Sequence, residues 1–208
     1  MILQAKGLLF DLDGTLIDSL PAVDRAWSIF ARKHGFEPEF VLSRIHGRRS
    51  IDSIRELVPH VDPEEEDLYI RNLEASDAEG VTVLPGSMDL LRALPLNRWC
   101  IVTSGTSDVA KSRIKATGLP IPEFAVYGED VSRGKPAPDP FLLGAERLGF
   151  SPADCVGFED TDAGLSSIAA AGARPVAVGR VPLMNLAGIT FKILPDGIEL
   201  EIPDGAVR

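Results

Sequence analysis

Gly7-Leu8-Leu9-Phe10-Asp11-Leu12-Asp13-Gly14-Thr15 decides the reading of the chain, because a short apolar run passes directly into two aspartates separated by one residue. Such a run, closed by polar residues and glycine, reads as a buried strand with its chemistry at the C-terminal end. Side chains at i and i+2 of an extended chain project to the same side, so Asp11 and Asp13 can face one site. Two carboxylates about 4 Å apart repel by on the order of 4 kcal/mol at an effective dielectric near 20, so a cation joins them or one stays protonated. One can then attack as a nucleophile while the other delivers and removes a proton. Taken alone, the same residues also suit a turn in which Asp caps a helix.

Outward from this stretch, apolar runs at 99–102 and 155–158 end in Thr103 and Glu159 in the same manner. Helical patterns at 87–94, 108–117 and 139–148 alternate with them, which argues an α/β fold built on a parallel, Rossmann-like sheet. Weaker strands are expected at 124–126, 175–178 and 189–191, and residues 198–202 read as an edge strand or a tail. From Ser19 to Val83 no buried strand run occurs, only charge-rich helical segments at 22–34, 51–58 and 63–75. The expected organisation is a discontinuous core of residues 1–18 and 84–208 with a small helical domain, 19–83, inserted.

Three further clusters sit at the ends of these elements. Thr103-Ser104-Gly105-Thr106 offers hydroxyls and close backbone approach at the start of a helix, the outline of a phosphate cradle. Arg133-Gly134-Lys135-Pro136-Ala137-Pro138-Asp139-Pro140 stiffens the chain around one lysine, whose ammonium would neutralise a phosphoryl group. Glu159-Asp160-Thr161-Asp162 supplies carboxylate oxygens of the kind Mg²⁺ takes. Asp11, Asp13, Glu159 and Asp160 carry four negative charges and a phosphomonoester about two more. Mg²⁺ and Lys135 return only three, so a protonated Asp13 is expected.

Composition narrows the setting. The 208 residues are 45% hydrophobic and 25% charged, as in ordinary globular domains. A net charge of −10, from 31 acidic against 21 basic residues, disfavours nucleic acid as a partner. The N-terminus lacks a signal-peptide pattern and no apolar stretch approaches membrane length, so no membrane partner is expected. Cys100 and Cys155 lie inside apolar runs and read as reduced core residues of a cytoplasmic protein. Oligomeric state is not legible.

Together the four clusters resemble the motifs of the haloacid dehalogenase-like superfamily of phosphotransferases, across essentially the whole chain. The resemblance implies aspartyl-phosphate chemistry: Asp11 as nucleophile, Asp13 as general acid/base, Thr103, Ser104 and Lys135 on the phosphate. Asp11, Asp13 through its carbonyl, Glu159 and Asp160 would hold Mg²⁺. The helical insertion resembles the cap of the beta-phosphoglucomutase-like branch. Residues 20–27 (LPAVDRAW), 45–54 (IHGRRSIDSI), 102–110 (VTSGTSDVA) and 134–149 (GKPAPDPFLLGAERLG) are similar to sugar, glycerol-phosphate and 2-deoxyglucose-6-phosphate phosphatases. This implies a phosphoric monoester hydrolase for small sugar or polyol phosphates, with His46, Arg48 and Arg49 as cap groups toward substrate. A sugar-phosphate mutase is the alternative, but mutases of this branch carry a histidine about where Val23 stands. A non-enzymatic phosphate-sensing protein on the same fold is a further alternative. Trp27 and Phe30, three apart on a helix, read as cap core rather than a sugar-stacking platform.

Overall fold

The computed structural model describes residues 1–77, 79–179 and 185–203. Strands β1 (Ile2–Ala5) and β2 (Gly7–Phe10) are followed by the two-residue β3 (Ile17–Asp18) and four helices. These are α1 (Leu20–Lys33), α2 (Pro38–Ile45), α3 (Ser50–Leu57) and α4 (Pro63–Ser76). Then β4 (Thr82–Val83) returns antiparallel to β3, pairing Ile17 with Val83 and Asp18 with Thr82. The two chain crossings between helices and sheet therefore lie side by side. Strand and helix alternate afterwards: α5 (Ser87–Ala93), β5 (Trp99–Val102), α6 (Ser107–Thr117), β6 (Phe124–Val126), α7 (Asp139–Leu148), β7 (Cys155–Glu159), α8 (Asp162–Ala171) and β8 (Arg174–Ala177).

Five of these strands form a parallel sheet in the order β6-β5-β2-β7-β8. Chain direction across the sheet reverses at β2, and open α/β sheets bind ligands beyond the carboxyl ends of the strands at such a point. Strands β2, β5 and β7 are buried along their whole length, as strands covered on both faces must be. Alternate side chains serve opposite faces: Leu8 and Phe10 join Trp99, Ile101, Val156 and Phe158 on one, while Leu9 joins Cys100, Val102, Phe141 and Ile168 on the other. Cys100 and Cys155 are free and buried. Burial pushes their thiols up to about 12 and about 11, against formation of the thiolate.

A second, antiparallel sheet has the order β1-β10-β9, with β9 (Thr190–Leu194) and β10 (Gly197–Glu201). Here the structure differs from the sequence reading. The alternating segment at 198–202 is a central strand, neither edge nor tail, because buried Ile198 and Leu200 face the core while Glu201 faces water. Helix α2 went unread because its eight residues bury only Val41 and Ile45, too few to show a period.

Helices α1 to α4 share their own apolar cluster of Val23, Trp27, Phe30, Val41, Ile45, Ile54 and Ile70. Val23, Trp27 and Phe30 recur at i, i+4 and i+7 and make one stripe of α1. Trp27 and Phe30 pack edge to face with centroids 5.1 Å apart, as core residues. Phe30 has no exposed surface. Phe30→Ala is expected to destabilise this cluster by about 3–5 kcal/mol, measured as a lowered urea midpoint for the helices.

Candidate active site

Strand register creates the site. Pairing of β2 with β7 sets Phe10 opposite Phe158, their rings stacked at 4.8 Å. The ladder runs one step further, the Asp11 amide donating to the Phe158 carbonyl at 3.0 Å. Asp11 and Glu159 thus leave adjacent strands side by side. Lys135, from the proline-stiffened loop after β6, enters between them. Its ammonium donates to Asp11 Oδ1 at 2.6 Å and to Glu159 Oε1 at 2.8 Å with its side chain 0% exposed. Burial alone would pull this lysine down, but the carboxylates of Asp11 and Glu159 outweigh it and hold Lys135 above its ordinary value.

Glu159 is committed on both oxygens. Its Oε2 accepts from the Thr161 amide at 2.6 Å and the Thr161 hydroxyl at 2.8 Å. Thr161 also caps α8, accepting from the Gly164 amide at 3.1 Å. Only glycine fits at 164, since a Cβ there would overlap the Glu159 carboxyl group.

Asp160 has a buried Oδ1 with no hydrogen-bond partner. Its carboxylate lies against Gly14, whose φ of +91° turns the chain after Asp13 and where any Cβ would strike Asp160. Carboxylate oxygens of Asp11, Glu159 and Asp160 lie within 4.8 Å of one another. An orphaned carboxylate oxygen beside further acids is a donor set that fits a hard divalent cation. Asp11, Glu159 and Asp160 are the carboxylates placed to hold it, Asp11 and Glu159 each already accepting from Lys135. Burial pushes Asp11 well above the carboxylate range, reinforced by Glu159, Asp160 and Asp13 and opposed by Lys135. Burial, then Glu159, likewise raises Asp160 to about 7 against the pull of Lys135.

Asp13 is held differently. Its Oδ1 accepts from the Ser19 hydroxyl at 2.5 Å and from Arg113 Nη1 at 2.8 Å, while Oδ2 lies 3.4 Å from Thr103 Oγ1. Arg113, on α6, is 3% exposed. Sequence reading missed it, although an arginine on the buried stripe with Val109, Ala110 and Ile114 was the available signal. Glu74, at the end of α4, was also missed; it stands 3.7 Å from Arg113 Nη2.

Part of this cluster lines a cleft of about 730 Å³, its open mouth included, between the helices α1 to α4 and the sheet edge, while Lys135 and Glu159 lie buried beneath the lining. Asp11, Asp13, Asp160, Thr103 and Ser104 line it, as do His46 and Arg48. Ser104 donates to the Gly47 carbonyl at 3.0 Å, joining the α2–α3 turn to the sheet. Thr103 accepts from the Gly105 amide at 3.0 Å. His46 faces Asp24 at 3.4 Å and Arg48 pairs with Glu56 at 2.8 Å. Arg49 does not line the cleft, contrary to its expected role toward substrate. Its guanidinium pairs with Asp52 at 2.7 Å and donates to the carbonyls of Val131 at 2.7 Å and Ser132 at 3.0 Å. A side chain at Gly134 would strike it, so Arg49 fastens the start of α3 to the loop that delivers Lys135.

The acid-rich site lies at the switch point of the sheet, beneath the inserted helices. Residues 5–172 match the model of the haloacid dehalogenase-like hydrolase family, and the chain belongs to that family. Hexitol phosphatase A of Escherichia coli (strain K12) is 45% identical over 215 residues, covering 99% of this chain and 99% of its own. Glycerol-1-phosphate phosphohydrolase 2 of Saccharomyces cerevisiae is 35% identical over 191 residues, 85% of this chain and 75% of that one. In fold, the chain is similar to beta-phosphoglucomutase of Clostridium difficile, at TM-score 0.77 and 22% identity over 88% of this chain and 92% of that one.

The raised carboxyl groups couple stability to pH. Asp160, at about 7 when folded against an ordinary 3.8, favours the fold while protonated and loses that contribution as pH rises through about 7. In chelator, thermal melts are expected to fall from pH 5 to pH 8. A divalent cation binds the ionised form, so added Mg²⁺ is expected to raise the Tm most at pH 8 and least at pH 5.

Proposed function

We propose that the protein is a Mg²⁺-dependent phosphatase of small sugar or polyol phosphates that works through an aspartyl-phosphate on Asp11. Residues 1–18 and 84–208 act as the catalytic core and residues 19–83 as the cap over it, in a cytoplasmic enzyme whose buried, unpaired cysteines suit a reducing compartment. The observation that carries the reading is the pair of aspartates on one cleft, each with one oxygen tied to a separate buried cation: Asp11 to Lys135, Asp13 to Arg113. The activities named for hexitol phosphatase A and the glycerol-1-phosphate phosphohydrolase support the substrate class.

In the first step a carboxylate oxygen of Asp11 bonds to phosphorus as the phosphorus–oxygen bond to the alcohol breaks. Asp13 gives its proton to the departing oxygen. In the second, Asp13 takes a proton from water, whose oxygen bonds to phosphorus as the Asp11 carboxylate departs, releasing inorganic phosphate. Thr103 and Ser104 offer donors to the phosphoryl oxygens and Lys135 offsets their charge. Asp11, Asp160, Glu159 and the Asp13 carbonyl would hold Mg²⁺, which when bound polarises the phosphoryl group; Glu159 also holds Lys135 in place. The helices of the cap shield the reacting groups from bulk water.

Asp11→Asn, assayed with Mg²⁺ against a panel of sugar and polyol phosphates, is expected to lose at least about 10³-fold in kcat. Retained turnover contradicts Asp11 as nucleophile. An isomeric sugar phosphate in place of free phosphate from the wild-type enzyme would show a mutase instead.

A further inference from the structure

Arg49 ties the inserted helices to the core through backbone acceptors. Standing just before α3 and near the midpoint of residues 19–83, it donates from Nη1 to the Val131 carbonyl at 2.7 Å and the Gly128 carbonyl at 3.3 Å. Its Nη2 donates to the Ser132 carbonyl at 3.0 Å. All three acceptors belong to the segment that leads into Lys135. Gly134 leaves room for the guanidinium, since a Cβ there would come within 2.8 Å of Arg49 Nε.

The charge of this guanidinium is met on its own side. Asp52, on α3, accepts from Nε at 2.7 Å and from Nη2 at 2.9 Å, so the ion pair moves with the helices as a unit. The core supplies only neutral carbonyls. Parting the helices from the core would therefore divide no ion pair here. Guanidinium and carbonyls would exchange each other for water, a change far smaller than the strength of the isolated hydrogen bonds. Such a contact holds and also releases.

Release is required by the site beneath. Asp11 is 5% exposed and Thr103 2%, which leaves little surface on which a phosphoryl group can land. The helices join the sheet covalently through β3 and β4, a ribbon of two residue pairs. A turn of the helices about that ribbon uncovers the cleft and draws Arg49 off its carbonyls.

We propose that Arg49 is a releasable latch. Seated on residues 128–132 it holds the inserted helices over the cleft; unseated, with Asp52 still on its guanidinium, it lets substrate in and product out. The proposal rests on the reading of residues 19–83 as a cap.

Trp27 reports the latch. It is buried on α1 and lines the cleft, whereas Trp99, the other of the 2 tryptophans, is enclosed by the sheet. Acrylamide quenching of fluorescence is measured for the wild type, for Arg49→Met, which keeps the stem and loses the donors, and for Arg49→Lys, whose single ammonium cannot serve Asp52 and the carbonyls together. The Stern–Volmer constant is expected to rise at least about twofold in Arg49→Met and by a smaller factor in Arg49→Lys. Opening exposes Trp27 alone. If both tryptophans of Arg49→Met become quenchable, that variant has unfolded and Arg49→Lys decides in its place. With Mg²⁺ and the sugar or polyol phosphate turned over fastest, KM is expected to rise at least about fivefold in Arg49→Met with kcat within about twofold, because fewer molecules stand ready to close on substrate. Quenching equal to the wild type in a folded variant overturns the latch. So does a fall in kcat at unchanged KM, the result if Arg49 only steadies the loop of Lys135. If the wild type releases phosphate from no ester of the panel, the phosphatase reading fails, and the quenching comparison still decides the latch.

Discussion

The structure depends on one buried ammonium. Lys135 has no exposed side-chain surface and lies between Asp11 and Glu159, three charges withdrawn from water at a cost of several kcal/mol per ion before their mutual attraction is counted. Such an arrangement persists only where the surroundings fix every partner. Here β2 and β7 set the carboxylates in register, Thr161 holds the far oxygen of Glu159, and glycine at 164 leaves the room. The prolines at 136, 138 and 140 deliver the lysine along a chain with little freedom to lose. Removing Lys135, Asp11 or Glu159 would leave a charge buried without its counterpart.

The same logic separates the two aspartates. Standing two residues apart, they would repel if left to each other. Instead each is tied to a cation from a different part of the fold, Lys135 from the loop after β6 and Arg113 from α6. Asp11 is deeply buried among acids, whereas Asp13 keeps Oδ2 near the Thr103 hydroxyl in the cleft. Two identical side chains are set in different surroundings because their neighbours differ.

Much of this was legible in the sequence, and the reason is local. The parallel core announced itself through apolar runs ending in polar residues, and Asp11, Asp13, Thr103, Lys135, Glu159 and Asp160 all follow such runs or lie in the adjoining loops. What escaped depended on contacts between distant segments. Arg113 looks like any helical arginine until α6 packs against Asp13, 100 residues away in sequence. Arg49 stands in a run of polar residues that gives no sign of which member turns toward the cleft. Its partners are carbonyls at 131 and 132, and backbone acceptors leave no mark on composition. The central place of β10 was hidden for the same reason, since its neighbour β1 lies at the other end of the chain.

Strands β3 and β4 carry every covalent connection between the four helices and the sheet, through only two residue pairs. A graft that exchanged everything beyond this narrow ribbon would leave Asp11, Asp13, Lys135, Glu159 and Asp160 untouched, so the fold is open to modular change of what covers them. The boundary is not clean, however. Arg113 stays with the core while Glu74 travels with the graft, so a transplanted set of helices must bring its own answer to a waiting guanidinium.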